Sequence, residues 1–207
     1  MKKSNRPAAR KAAKSKRKPI ARHDREGVKA RPKRTAGRRR AKAPPPDLKR
    51  HYLDSFRREL STTLKVLNAF PPAMDAFKPH ERSHSAARLA HTFTVENAGA
   101  LKAVRGEPMN PADLPRPPAT FAETVAAYES GARELIETVE AMPESRLFEE
   151  VTFMTGPRQL GEMPVHDVLW FLLMDSIHHR GQLSVYVRMA GGKVPSIYGP
   201  SADEPWT

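Results

Sequence analysis

Positive charge in this 207-residue chain is concentrated in its first quarter, and that segregation confines any packed domain to the other three quarters. Residues 1–50 hold 21 Lys/Arg against 3 Asp/Glu, a net of +18 where the whole chain carries +13, so the remaining residues carry −5. The same stretch has no Phe, Trp or Tyr, and only Ile20, Val28 and Leu48 as larger aliphatic residues. It cannot bury enough apolar surface to offset the entropy of ordering it. Residues 1–46, closed by the stiff run Pro44-Pro45-Pro46, are expected to form a disordered Lys/Arg/Pro-rich arm, and residues 47–207 a single domain. A domain of that length buries about two thirds of the surface its unfolded form exposes.

The chain has no cysteine. That excludes a disulfide framework, a thiolate nucleophile and a thiolate zinc site, so any metal must be held by His and carboxylate. No apolar run approaches the roughly 20 residues of a membrane-spanning helix, and no apolar stretch follows the charged N-terminus as in a secretory signal. The expectation is a cytoplasmic protein with no membrane partner.

Four helices are predicted. Leu48, Tyr52, Leu53, Phe56, Leu60, Leu64, Leu67 and Phe70 recur at spacings of three and four and stop at Pro71-Pro72. Ser83 or Ser85 is placed to cap a second helix running to about Val104, with Ala87, Leu89, Ala90, Phe93, Val95, Ala98 and Leu101 as its apolar surface. A proline-rich loop over 105–119 leads to Thr120 and Glu123, the T-x-x-E pattern of a capping box, and to a third helix ending near Met142. Residues 145–163 are ambiguous. Leu147 to Phe153 suits a short strand and Gly156-Pro157 a turn, and the segment is expected to be an irregular crossover. The last helix starts near Pro164 and ends at Gly191-Gly192. Its first half is apolar nearly all round, as in a helix packed on several sides. The expected fold is all-α, a four-helix bundle, with the closing segment VPSIYGPSADEPWT folded over one end.

Within this frame Asp175 and His179 lie four residues apart on the last helix, on one face and about one turn apart, close enough to share an ion. A third donor must come from elsewhere: His80, His84, His91, Glu96 and His166 are the candidates. His91 is preferred, because it sits mid-helix among apolar neighbours where a neutral imidazole can face the interior. Asp175 with His91 and His179 makes a two-His, one-carboxylate set with open positions, compatible with Zn, Fe(II), Mn or Ni.

The run DSIHHRGQLSVYVRMAGGKVPSIYGPSADE closely resembles the C-terminal signature of the DinB-like (damage-inducible, YfiT-like) superfamily of metal-binding four-helix bundles. FKPHERSHSAARLAHTFTV resembles the same superfamily's second helix, and together the two stretches frame residues 48–207. The resemblance implies that His179, in HRGQ, and His91, in RLAH, are metal ligands. Where the family commonly has a further histidine four residues before HRGQ's, this chain has Asp175, which would favour a harder ion. His178 is the substitute ligand, although it points about 100 degrees away from His179 on a regular helix. Gln182 is placed to orient a ligand or bound water, Arg180 to receive an anionic group of a substrate, and Tyr198 to close a pocket.

The resemblance implies a metal-dependent enzyme, thiol-transferase-like or hydrolase-like, acting on a small molecule. Since the chain lacks cysteine, any low-molecular-weight thiol would be a cosubstrate. A second function class is nucleic-acid association, because a segment of net +18 binds phosphate backbones without sequence preference. A third is a bundle that has kept the fold and lost the chemistry. Bundles of this kind often pair, so a homodimer is expected.

Overall fold

A computed structural model describes residues 47–157 and 159–206; the arm expected over 1–46 lies outside the described residues. Helix α1 spans Leu48–Ala69, α2 Ala86–Arg105, α3 Phe121–Ala141 and α4 Val165–Met189. Each start has a local cause. The Asp47 carboxylate accepts from the Arg50 amide at 2.8 Å and the Ser85 hydroxyl from the Arg88 amide, so both satisfy a first-turn donor. Thr120 and Glu123 form the full capping box, each side chain bonded to the other's backbone amide. Pro164 directly precedes α4, one residue before the first-turn position expected for it.

Helix α2 ends on Gly106, whose φ of 74° is left-handed. Arg146 closes that end, donating to the Ala103 and Val104 carbonyls at 2.9 Å each. A positively charged group on the free carbonyls of a helix C-terminus is favoured by both hydrogen bonding and the helix dipole.

Helix α2 packs on α3 and α4, and α1 packs on the same two, so α1 lies diagonally across the bundle from α2. The all-α expectation is corrected by the segment between α3 and α4. After a 3-10 turn over Glu144–Phe148, β1 (Glu150–Gly156) and β2 (Gln159–Pro164) form an antiparallel hairpin, with Val151 opposite Met163 and Phe153 opposite Gly161. Val151 and Phe153 alternate inward with exposed neighbours, the period of a half-buried strand, and this replaces the irregular crossover. Gly156-Pro157 does return the chain, with an irregularity between Met154 and Gly156.

The core falls into two apolar clusters. One gathers Tyr52, Phe56, Ala100, Val104, Leu135, Val139, Leu169 and Leu173. The other gathers Val66, Leu67, Phe70, Leu89, Phe93, Phe121, Tyr128 and Leu183. Between them along the helices come buried polar residues: Thr63 on α1, Glu96 and Asn97 on α2, Ser176 and Arg180 on α4. Asn97 donates to the Tyr128 carbonyl at 3.2 Å, tying α2 to α3 at this level. The segment after α4 folds back onto the second cluster through Val194 and Ile197, and the Asp203 carboxylate accepts from the Val194 amide and from Arg188. Among the described residues no helix is long and apolar enough to cross a membrane.

Leu169 is 1 % exposed in the first cluster. Leu169→Ala should destabilise the domain by about 2–5 kcal/mol through lost transfer energy and an unfilled cavity. Urea denaturation checks this, and a loss below about 1 kcal/mol would mean that the cluster is not packed as described.

Candidate metal centre

The polar layer places acid and imidazole groups side by side where α2 meets α4. Glu96, Asp175 and His179 each present one donor atom, and the three atoms lie within 4.8 Å of one another. His179 Nδ1 is 2.6 Å from Glu96 Oε1 and 3.9 Å from Asp175 Oδ1. Asp175 reaches the same place as His179 because four residues of helix return the chain to one face. Glu96 reaches it from across the groove, and the Phe93 ring, one turn before Glu96, meets the His179 ring edge-on at 6.5 Å.

Burial grades the three groups. The Glu96 side chain is 6 % exposed, that of His179 20 % and that of Asp175 38 %, so the cluster runs from the bundle interior to its surface. Burial holds the Glu96 carboxyl above its ordinary range, with the hydrogen bond to His179 pulling the other way. The bond to Glu96 lifts the His179 imidazole above its usual value against the effect of its own burial. Glu96 Oε2 is fully enclosed and has no hydrogen-bond partner among the described residues. A buried carboxylate oxygen in that state is costly unless a proton or a cation reaches it.

The layer continues behind the cluster. Burial pushes the Tyr128 phenol up to about 12, with Glu96 adding to the rise and Thr63, Arg180 and Ser176 opposing it. Ser176, buried on α4, slightly opposes the rise of the Glu96 carboxyl.

The structure thus brings Asp175 and His179 together and adds Glu96, but it does not bring His91 into the set. His91 lies five residues before Glu96, so its side chain leaves α2 about 140 degrees away. Its ring is 7 % exposed, with Nε2 3.0 Å from the Pro115 carbonyl and Nδ1 unpartnered. It pins the proline-rich loop to α2. Met109 of the same loop packs where an added Cβ on Gly99 would stand 2.9 Å away, next to Leu172. The loop therefore runs along α2 past Glu96.

His178 is exposed and is bonded by the Gln182 amide at 2.7 Å, so these two side chains engage each other on the outer face of α4. Arg180 is 1 % exposed and points toward α1, where it pairs with Glu59 at 2.6 Å and lies 3.3 Å from the Thr63 hydroxyl. Tyr198 receives a hydrogen bond from Arg180 at 2.5 Å and donates one to Glu59 at 2.7 Å. The guanidinium also sits 5.0 Å from the centre of the Tyr198 ring. Arg180 and Tyr198 fasten the C-terminal segment to α1 and do not face the acid–imidazole cluster.

Glu96 was one of several third-donor candidates in the sequence, and a sharper signal singles it out. It falls in register with Leu89, Phe93, Ala100 and Ala103, so it is an acidic residue on a core face, where unpaired carboxylates are rarely found.

A profile of the DinB family matches residues 46–206, nearly the whole described chain. The chain belongs to the DinB family. The uncharacterized protein YrdA of Bacillus subtilis (strain 168) is 26% identical over 155 residues, which cover 74% of this chain and 90% of YrdA. Two solved structures share the DinB-family fold. A DinB-like protein from Bacillus cereus ATCC 10987 superimposes with a TM-score of 0.61 at 20% identity, covering 72% of this chain and 97% of that one. The DinB-like protein YjoA from Bacillus subtilis gives 0.57 at 21% identity, covering 70% and 96%.

Because Arg180 and Glu59 are taken from water together, removing one leaves the other uncompensated. In this DinB-family chain Arg180→Ala should cost about 3–5 kcal/mol in urea denaturation and release the C-terminal segment to proteolysis. A variant within about 1 kcal/mol of wild type, with that segment still protected, would contradict a fastening role.

Proposed function

We propose that this DinB-family bundle is a divalent-metal-dependent enzyme whose ion is held by Glu96, Asp175 and His179, acting on a small-molecule substrate by transferase-like or hydrolase-like chemistry. The observation that carries the reading is Glu96 Oε2, enclosed and unpartnered beside two further donors. A cation between them would satisfy that oxygen and offset two carboxylates whose donor atoms lie within 4.8 Å of each other. The donor set fits, and DinB-family proteins generally bind a metal. Two carboxylates and one imidazole shift preference toward Mn or Fe(II) over Zn or Ni, compared with three imidazoles.

Such an ion supplies Lewis acidity that makes a water or a low-molecular-weight thiol nucleophilic at neutral pH. The chain's own groups do the rest. Glu96 is buried and is held by its hydrogen bond with His179, whose ring the Phe93 ring meets edge-on. Asp175, the most exposed of the three, lies on the side open to solvent. With no cysteine in the chain, a thiol must arrive from solution.

Metal analysis of protein purified without chelator tests the set. Wild type and His91→Ala should retain the ion, whereas Glu96→Gln and His179→Ala should lose it. Retention in Glu96→Gln together with loss in His91→Ala would replace Glu96 by His91. Ligation needs a neutral imidazole, and the His179 pKa lies above its usual 6.5. Affinity should therefore be full above that raised value and fall as pH drops through it; calorimetric titration showing no such fall would remove His179 from the set.

A second reading concerns the arm, and the +18 net charge of residues 1–50 favours it. We propose that residues 1–46 contact nucleic-acid phosphates without sequence preference. DNA binding by the full chain should weaken steeply with salt and vanish on deletion of 1–46. Binding that persists after deletion would transfer the contact to the bundle.

A further inference from the structure

The α2–α4 groove continues past the acid–imidazole cluster, and its next stretch is filled from outside the two helices. Tyr186 reaches the His84 carbonyl, His179 meets Glu96 and Leu172 lies beside Gly99, so α2 and α4 run antiparallel. Gly99 is three residues beyond Glu96 on α2, and Leu172 is three residues before Asp175 on α4. Both therefore lie on the cluster's side of their helices, about 4.5 Å further along the groove. The Met109 methyl enters at that point: a Cβ added to Gly99 would stand 2.9 Å from it and 3.5 Å from the Leu172 side chain.

Met109 explains Gly99. Glycine weakens a helix interior relative to alanine, yet Gly99 is buried inside the 20-residue α2, and the room left by its missing side chain is taken by the tip of Met109. The chain around Met109 is tied down on both sides. Lys102, its side chain 17 % exposed, lies 3.5 Å from Glu107 and 3.6 Å from Asp113, and the His91 ring donates to the Pro115 carbonyl. Held this way, Met109 packs against the first apolar cluster while staying partly exposed. An unbranched, polarisable side chain with three rotatable bonds suits such a place, because it can yield to a ligand and repack around it.

Convergent polar donors with an apolar wall one helical turn away suit a small molecule with two unlike ends. We propose that Met109 is the specificity-determining residue of this site. A substrate sets its polar reacting end at Glu96, Asp175 and His179 and lays an apolar group along Leu172 in the space beside Gly99, turning the Met109 methyl aside. The reacting end rests on the metal-dependent reading given above, and the apolar end on the groove alone. The substrate class is thereby narrowed to small molecules carrying a short apolar group within about 5 Å of the atom that reacts. Discrimination among such groups follows from how much room Met109 and Gly99 leave, each methylene in an apolar pocket changing affinity by about fourfold.

Calorimetric titration of the metal-loaded full chain with n-alkyl hydroxamates, from acetohydroxamate to hexanohydroxamate, reads the two ends separately, since the head that binds the ion stays constant along the series. Met109→Ala enlarges the space beside Gly99 and should tighten hexanohydroxamate by about tenfold, whereas Gly99→Ala fills it and should weaken the same compound by about tenfold. Acetohydroxamate should change by less than about twofold in either variant, with metal content and helical circular dichroism as in wild type. Affinities that shift equally at every chain length, or at none, overturn the role of Met109. A wild type that holds no ion overturns the metal-dependent reading alone, and the wall is then read on metal-free protein with n-alkylammonium ions, whose charge pairs with Glu96 and Asp175. The methyl NMR resonance of Met109, identified by its loss in Met109→Ala, should move with hexylammonium and not with methylammonium. A resonance that moves with both or with neither overturns the proposal.

Discussion

The polar layer of this bundle centres on one part-buried contact, the 2.6 Å bond between His179 and Glu96 across the α2–α4 groove. An apolar bundle would have run its core straight through that level. Here the core is split into two clusters, and the gap holds Thr63, Glu96, Asn97, Ser176 and Arg180. Burying such groups is costly unless they satisfy one another. Among the described residues of this layer Glu96 Oε2 finds no hydrogen-bond partner, as is also true of Thr94 Oγ1 and His91 Nδ1 on the same helix.

His179 and Arg180 adjoin each other on α4, face different sides of the helix and serve different purposes. His179 turns toward α2 and the acid cluster; Arg180 turns toward α1 and, with Glu59 and Tyr198, holds the closing segment in place. One helical residue is about 100 degrees of rotation, so neighbours in sequence belong to different surfaces. The HRGQ run therefore anchors both the site and the end of the chain, and a change in either residue is felt in a different part of the molecule.

Much of the fold was legible along the chain because its signals are local. The Ser85 cap, the Thr120–Glu123 capping box, the stop at Pro71 and the glycine pair after α4 each act within a few residues, and the helix ends fall where they predict. The hairpin between α3 and α4 was harder. Leu147 to Phe153 carries a strand's alternation over too few residues to separate it from irregular chain, and the pairing of Val151 with Met163 is a contact between segments. The apolar surface of α4 was visible too, but not that part of it stays uncovered by α1 and α2.

By itself the sequence determined the charge-segregated organisation, the four helices, the absence of thiolate chemistry and the nearness of Asp175 to His179, since composition and helical spacing need no knowledge of distant residues. Only the tertiary structure decided which α2 residue joins that pair, giving Glu96 and turning His91 to the Pro115 carbonyl. It also decided that Arg180 is a buried fastening and not a surface charge. The reason is rotational: the turn of α2 against α4 selects which side chains meet, and packing along the whole length of both helices sets that turn.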